Sequence, residues 1–298
     1  MVFANLGSKV IFMEKSIDLF SNIKNEYDSL SKAHKKVSDY IMKHYDRCAF
    51  MTASNLAKES DVSESTIVRF AYALGYDGYP ELQKELQEVI KTQLTIIQRA
   101  KMSFENLNEG EILENVLKND SHNIKQTLTK IDHGTFKYIV NKIVNCTGCI
   151  YIVGLRTSTS LAEYLSYYLE LMLDNVKLIK YDYVDMFEKM INISSKDVVI
   201  GISLPRYTSR TSDLMKYAKD KGASLVAITD SLNSPIGELS DDVLIAMSDM
   251  SSIVDSLVAP LSVINALIVA VASKKREEVK NKFESFEELW KSRNTFRD

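Results

Sequence analysis

The chain is short of several residue types and patterns, and each shortage removes a class of function. Three cysteines, Cys48, Cys146 and Cys149, in 298 residues leave no extracellular disulfide framework and fit a reducing compartment. Four histidines, with His122 and His133 standing apart, give no metal-ligand spacing, so no metal is expected. Excess positive charge is missing too. At a formal charge of −3, any nucleic-acid role has to rest on a local motif. Long apolar runs are absent: the longest, Leu257 to Ala272, is interrupted by Pro260, Ser262 and Asn265. It is slightly short for a bilayer and reads as a helix buried against a sheet, with no membrane partner. No charged leader precedes an apolar core in the first dozen residues, so a cytoplasmic location is expected. Met13 opens a more typical cytosolic start, which makes residues 1–12 an extension or an alternative beginning.

What is present is an ordinary globular composition, 45% hydrophobic and 26% charged, at a length that suits two domains. From Ile17 to about Tyr45 the apolar residues recur at helical spacing, and Cys48, Ala49 and Phe50 close this layer. The next stretch predicts two short helices. Thr52 can cap the first, with Leu56 and Ala57 inward; Ser63 can cap the second, with Ile67, Val68 and Phe70 inward. A tight turn at Asp61-Val62 joins them, and aspartate tolerates the left-handed conformation such a turn demands. The pattern matches a helix-turn-helix. Its second helix would offer Ser63, Glu64, Ser65, Thr66 and Arg69 to DNA, where hydroxyls contact phosphates or bases and arginine reads guanine. Lys35 and Lys36, with Lys32 and Lys43, could add phosphate contacts from the preceding helix. The alternative is a helical docking module that binds no DNA. Leu74-Gly75-Tyr76-Asp77-Gly78-Tyr79-Pro80 then stops the helix.

Residues 81–145 read as helices with a break near Asn106–Gly110 and stripes at Leu82, Leu86, Val89, Ile90 and at Ile112, Leu113, Val116, Leu117. Cys146-Thr147-Gly148-Cys149 precedes an apolar run instead of following a strand, and reads as a way into that strand, against a redox or metal site. From Ile150 onward strands are expected near 149–154, 176–180, 198–203, 224–229 and 243–247. Helices are expected near 158–173, 184–193, 208–221, 235–239 and 252–273. This alternation implies an α/β doubly wound, mostly parallel sheet with right-handed crossovers. Ligand groups should gather where the first and third strands end and crossover direction reverses. Two hydroxyl-rich loops fall there, Gly154 to Ser160 and Ser203 to Ser209, both opening helices as anion cradles do. The charged tail, Lys274 to Asp298, predicts a solvated helix with a sparse apolar stripe.

The run from Phe50 through SESTIVRF to LGYDGY resembles the N-terminal domain of RpiR-type bacterial transcriptional regulators, over about residues 13–90. That resemblance implies an all-α helix-turn-helix module binding operator DNA as a dimer. The second half, about 110–273, resembles the sugar isomerase (SIS) domain, a flavodoxin-like phosphosugar-binding module. A linker at 91–109 and a terminal helix at 274–298 complete the expected organisation. In the family pattern the first loop supplies a serine to the sugar phosphate, matched by Ser158. The third-strand loop reads Ser-x-Ser-Gly-x-Thr, matched at Ser203 and Thr208. Pro205 and Arg206 replace the second serine and the glycine, and Arg156 stands where the family often has another glycine. Asp255 is the nearest match to an acidic residue that opens the last helix. The implied function is a DNA-binding regulator of carbohydrate metabolism, a homodimer or homotetramer without cofactor, sensing a phosphosugar or related anion. The rivals are a phosphosugar isomerase, for which neither loop supplies a Glu or His base, and an adaptor that docks protein.

Overall fold

The computed structural model describes residues 19–93, 95, 97, 100, 109–250 and 253–296. The proposed extension at residues 1–12 and most of the proposed linker lie outside these. Two compact units divide the chain, Met1–Ile90 and Lys91–Asp298.

The first unit is helical: α1 (Leu19–Glu26), α2 (Lys32–Cys48), α3 (Ala53–Glu59), α4 (Glu64–Ala73) and α5 (Tyr79–Gln93). Where the periodicity suggests one layer from Ile17 to Tyr45, the structure has two helices. The chain is extended at Ser31, whose hydroxyl caps α2 by accepting the His34 N–H at 3.2 Å. Thr52 and Ser63 cap α3 and α4 in the same way, at 3.2 Å from the Asn55 N–H and 3.3 Å from the Thr66 N–H. Leu56, Ala57, Ile67 and Phe70 are buried between them, while Val68 is only half-buried. Asp61 sits in the joining turn at φ 52°. Gly75, at φ 89°, ends α4, with the Tyr76 N–H returning to the Ala71 carbonyl at 3.0 Å. From α5, Tyr79 and Gln83 donate to the Met51 carbonyl at 2.6 and 2.8 Å, satisfying backbone left open after α2.

The second unit runs α6 (Ile112–Lys130), α7 (His133–Val144), β1 (Ile150–Gly154), α8 (Thr159–Met172), β2 (Val176–Ile179), α9 (Met186–Lys189) and β3 (Val198–Ile202). It continues with α10 (Ser209–Asp220), β4 (Ser224–Thr229), β5 (Asp242–Ile245), α11 (Val258–Lys274) and α12 (Arg276–Arg293). All strand pairs are parallel, in the order β2-β1-β3-β4-β5. Successive residues alternate between two cores. Ile150, Ile152, Ile200, Ile202, Val226 and Ile228 pack with α7, α8 and α11; Tyr151, Val153, Val199, Leu225 and Ala227 pack with α9 and α10. Because α8 and α10 cover opposite faces, the crossover direction reverses between β1 and β3, as the doubly wound reading requires.

Three expected elements differ. No helix forms at 235–239; the Ser234 hydroxyl accepts the Gly237 N–H at 3.0 Å and closes a turn instead. The helix expected from 184 to 193 shrinks to Met186–Lys189, capped by Asp185. The last core helix starts at Val258, not near 252. Ser256, on the segment before it, is held by bonds to Asp120 and Ser248 at 2.6 and 2.7 Å. Pro260 then falls in the first turn, where its missing N–H costs nothing. Asp255 therefore lies ahead of the helix and does not open it. Helix α11 is a core helix with Val263, Ile264, Leu267 and Val271 buried, and among the described residues no single helix is long and apolar enough to cross a membrane.

The CxxC segment aligns strands. The Cys149 N–H donates to the Asp197 carboxylate at 2.6 Å, and Asn175 donates to the Gly148 carbonyl at 2.6 Å. Burial pushes the Cys149 thiol up to about 11, opposite to the lowering a redox thiol needs.

Candidate functional site

The carboxyl ends of β1 and β3 open a cleft of about 780 Å³, within the range of small-molecule sites. Its lining includes Arg156, Ser158, Ser203, Arg206, Thr208 and Asp255, the six residues expected to meet a ligand. Ser158 and Ser203 are 3% and 2% exposed, and no hydrogen bond occupies either hydroxyl among the described residues. Ser158 precedes α8 and Thr208 precedes α10, and neither caps its helix. Ser31, Thr52, Ser63, Asp132 and Asp185 all do cap theirs. At the cleft these hydroxyls are thus left for another partner, although the Thr159 and Thr211 N–H groups already bond the Arg156 and Thr208 carbonyls, and both helix dipoles favour an anion.

Gly154 permits the close approach this requires. A Cβ there would lie 2.6 Å from the Ser158 carbonyl oxygen and 2.8 Å from the Ala162 Cβ. Arg156 and Arg206 hold left-handed backbone, φ 57° and 61°, a conformation that glycine adopts readily and arginine at a cost of about 1–2 kcal/mol each. Both guanidiniums belong to exposed residues, whereas Pro205 is buried. Asp255 is half-buried.

Several contributors were not singled out by sequence. Tyr207 donates to the buried Asp230 carboxylate at 2.8 Å, tying the β3 loop to the end of β4. Adjacency of the two strand ends was the available signal. Arg210 also lines the cleft, bonded to Asp185 at 3.3 Å and lying over the Phe187 ring. Thr157, Tyr181 and Ser209 complete the polar lining.

In the first unit, Ser63, Glu64, Ser65 and Arg69 are exposed along the start of α4, with Thr66 half-buried. The Ser63 hydroxyl lies 2.9 and 2.8 Å from those of Ser65 and Thr66, so this end of the helix presents one bonded hydroxyl cluster. Lys36 pairs with Asp61 at 2.7 Å, and Lys35 lies over the Tyr27 ring at 5.1 Å. The Lys36 pair is exposed on both sides and so contributes little to stability. The ammonium beside it nevertheless holds the Asp61 carboxyl below its usual range. Burial, and then the Arg69 charge, lower the His34 pKa.

These two sites can be set beside known proteins. Residues 17–93 match the family model described as a helix-turn-helix domain, rpiR family, and residues 143–270 match the SIS domain. The chain belongs to the RpiR family. An HTH-type transcriptional regulator of Haemophilus influenzae is 29% identical over 238 residues, covering 78% of this chain and 81% of that protein. The sugar isomerase domain of an RpiR transcription factor from Sphaerobacter thermophilus covers 60% of this chain and 99% of its own, at 24% identity and TM-score 0.57. The Vibrio vulnificus NanR protein, solved in complex with ManNAc-6P, covers 91% of this chain and 97% of its own, at 20% identity and TM-score 0.52. The described cleft therefore lies in the SIS part of an RpiR-type chain, and α4 is the second helix of its helix-turn-helix.

Proposed function

We propose that this RpiR-type chain is a transcriptional regulator of carbohydrate metabolism. In this reading it binds operator DNA through α4 and senses a sugar phosphate in the β1/β3 cleft without converting it. The observation that carries this reading is the pair of uncapped helix starts facing one cleft beside two buried serines whose hydroxyls are unbonded among the described residues. Ser158, Ser203 and Thr208 donate to the phosphate, and Arg206, Arg156 and Asp255 surround the rest of the ligand. The Vibrio vulnificus NanR protein, similar in fold, was solved in complex with ManNAc-6P, a sugar phosphate, which supports this ligand class. Isomerisation needs a base beside adjacent sugar carbons. Among the described lining residues there is neither histidine nor glutamate, which favours binding over turnover. On DNA, Arg69, Glu64 and Ser65 face the bases, while Ser63, Thr66, Lys35 and Lys36 serve the backbone.

The assembly we propose is a homodimer, and α6 supplies the reason. Its buried residues are polar: Asn123 exchanges two hydrogen bonds with the Asp249 backbone, at 3.0 and 2.9 Å, and Thr127 accepts the Met247 N–H at 2.8 Å. Leu113, Leu117, Ile124 and Leu128 share one outward stripe, the leucines 73%, 59% and 67% exposed. The same stripe of a second copy is a self-complementary cover, and it would bring two α4 helices to one operator.

A thermal-shift screen of the full chain against sugar phosphates, amino-sugar phosphates and sugar acids tests the sensing half. A ligand at one hundred times its dissociation constant stabilises by about 2.7 kcal/mol. No shift with any of the phosphorylated sugars would sink the reading.

A further inference from the structure

Both loops of the cleft turn at an arginine in left-handed backbone, where glycine is at ease and arginine is not. The other described non-glycine residues with positive φ are Asp61 and Asn294, types that tolerate it. Two strained arginines on one cleft are an outlier that calls for a ligand-side reason. Both line the cleft and are exposed, and no hydrogen bond or ion pair engages either guanidinium among the described residues. The third arginine, Arg210, is already committed to Asp185 and the Phe187 ring.

A phosphate at the base of the cleft does not need them. Ser158, Ser203, Thr208 and two helix starts already provide its donors, and both serines are buried while both arginines stand at the rim. Two free guanidiniums outward of a complete phosphate cradle match a second anion, which each can grip through paired N–H groups. We infer that the ligand is a sugar phosphate carrying a second acidic group, a carboxylate or a second phosphate, held by Arg156 and Arg206. This rests on the phosphosugar reading above and specifies it.

The test is calorimetric titration of the full chain with matched pairs: glucose 6-phosphate against 6-phosphogluconate, and fructose 6-phosphate against fructose 1,6-bisphosphate. The first pair isolates a carboxylate and the second a phosphate. Wild type is compared with Arg156→Gly, Arg206→Gly and the double variant, substitutions that suit the backbone and remove strain. In at least one pair the diacid should bind about tenfold tighter, as charge-assisted hydrogen bonds allow, and more so at low salt. The double variant should lose that preference, its diacid affinity falling further than its monophosphate affinity until the two members of a pair bind alike. Monophosphate binding without preference overturns this inference alone, as does a double variant that loses monophosphate and diacid affinity equally. No binding by any probe overturns the phosphosugar reading and this inference with it.

Discussion

Gly154→Ala is the substitution that most sharply links the fold to the site. β1 ends at Gly154, and the Thr159 hydroxyl donates back to its carbonyl at 3.2 Å, so strand and helix meet with no spare room. A methyl group there would sit 2.6 Å from the Ser158 carbonyl oxygen, so that oxygen must withdraw by about 0.4 Å to reach even 3.0 Å. The obstacle is backbone, with the Ala162 Cβ at 2.8 Å behind it, so no flexible side chain can yield. Overpacking of this kind costs about 1–3 kcal/mol, or roughly 2–12 °C in Tm for a unit of this size. The movement falls on Ser158 and the start of α8, so sugar-phosphate affinity should fall with stability. Calorimetric scans with and without ligand measure both, and the transition of the N-terminal unit should stay in place. An alanine variant with unchanged Tm and unchanged ligand stabilisation would refute the claim that close approach at Gly154 builds the cradle.

Other expectations are separable from that one. Arg69→Ala should weaken operator binding by about 1–3 kcal/mol with the fold intact, and an NMR titration should show the His34 pKa rising as the Arg69 charge is lost. Because the folded His34 pKa lies below its ordinary 6.5, the unfolded chain takes the proton more readily. The N-terminal unit should therefore lose stability as pH falls below about 6.5 toward the folded pKa, and His34→Gln should flatten that dependence in urea titrations. Ser203→Ala and Thr208→Ala should each weaken sugar-phosphate binding about tenfold or more; normal affinity in both would remove the cradle. Leu117→Asp with Leu128→Asp should yield monomers by analytical ultracentrifugation, and an unchanged oligomer would place the interface elsewhere.

Local signals were the legible ones. The Thr52 and Ser63 caps, the Asp61 turn and the Gly75 stop each lie within a few residues of the group they serve, and the structure has all four. Strands buried on both faces announced themselves as β-branched runs, and their alternation with helices read as a parallel sheet reversing between the first and third strands; the strand order itself came from the structure. Long-range partners stayed hidden. The stripe at Leu113 and Leu117 looked like any packed helix face. Only the Asn123 and Thr127 bonds to backbone more than a hundred residues away reveal that α6 packs by its polar side. Lys36 read as free for phosphate, yet it pairs with Asp61. The start of α11 was misjudged because Ser256 is held by side chains distant in sequence. Arg156 and Arg206 were visible as departures from a glycine pattern. That both hold left-handed backbone needed the structure itself.

The central claim is that one chain couples the β1/β3 cleft to α4. Fluorescence anisotropy of the full chain on its operator, with and without the sugar phosphate that best raises its Tm, measures this directly. The expected result is a change in DNA affinity of about fivefold or more at saturating ligand, abolished by Ser203→Ala. Equal operator affinity with and without a ligand that demonstrably occupies the cleft would contradict it.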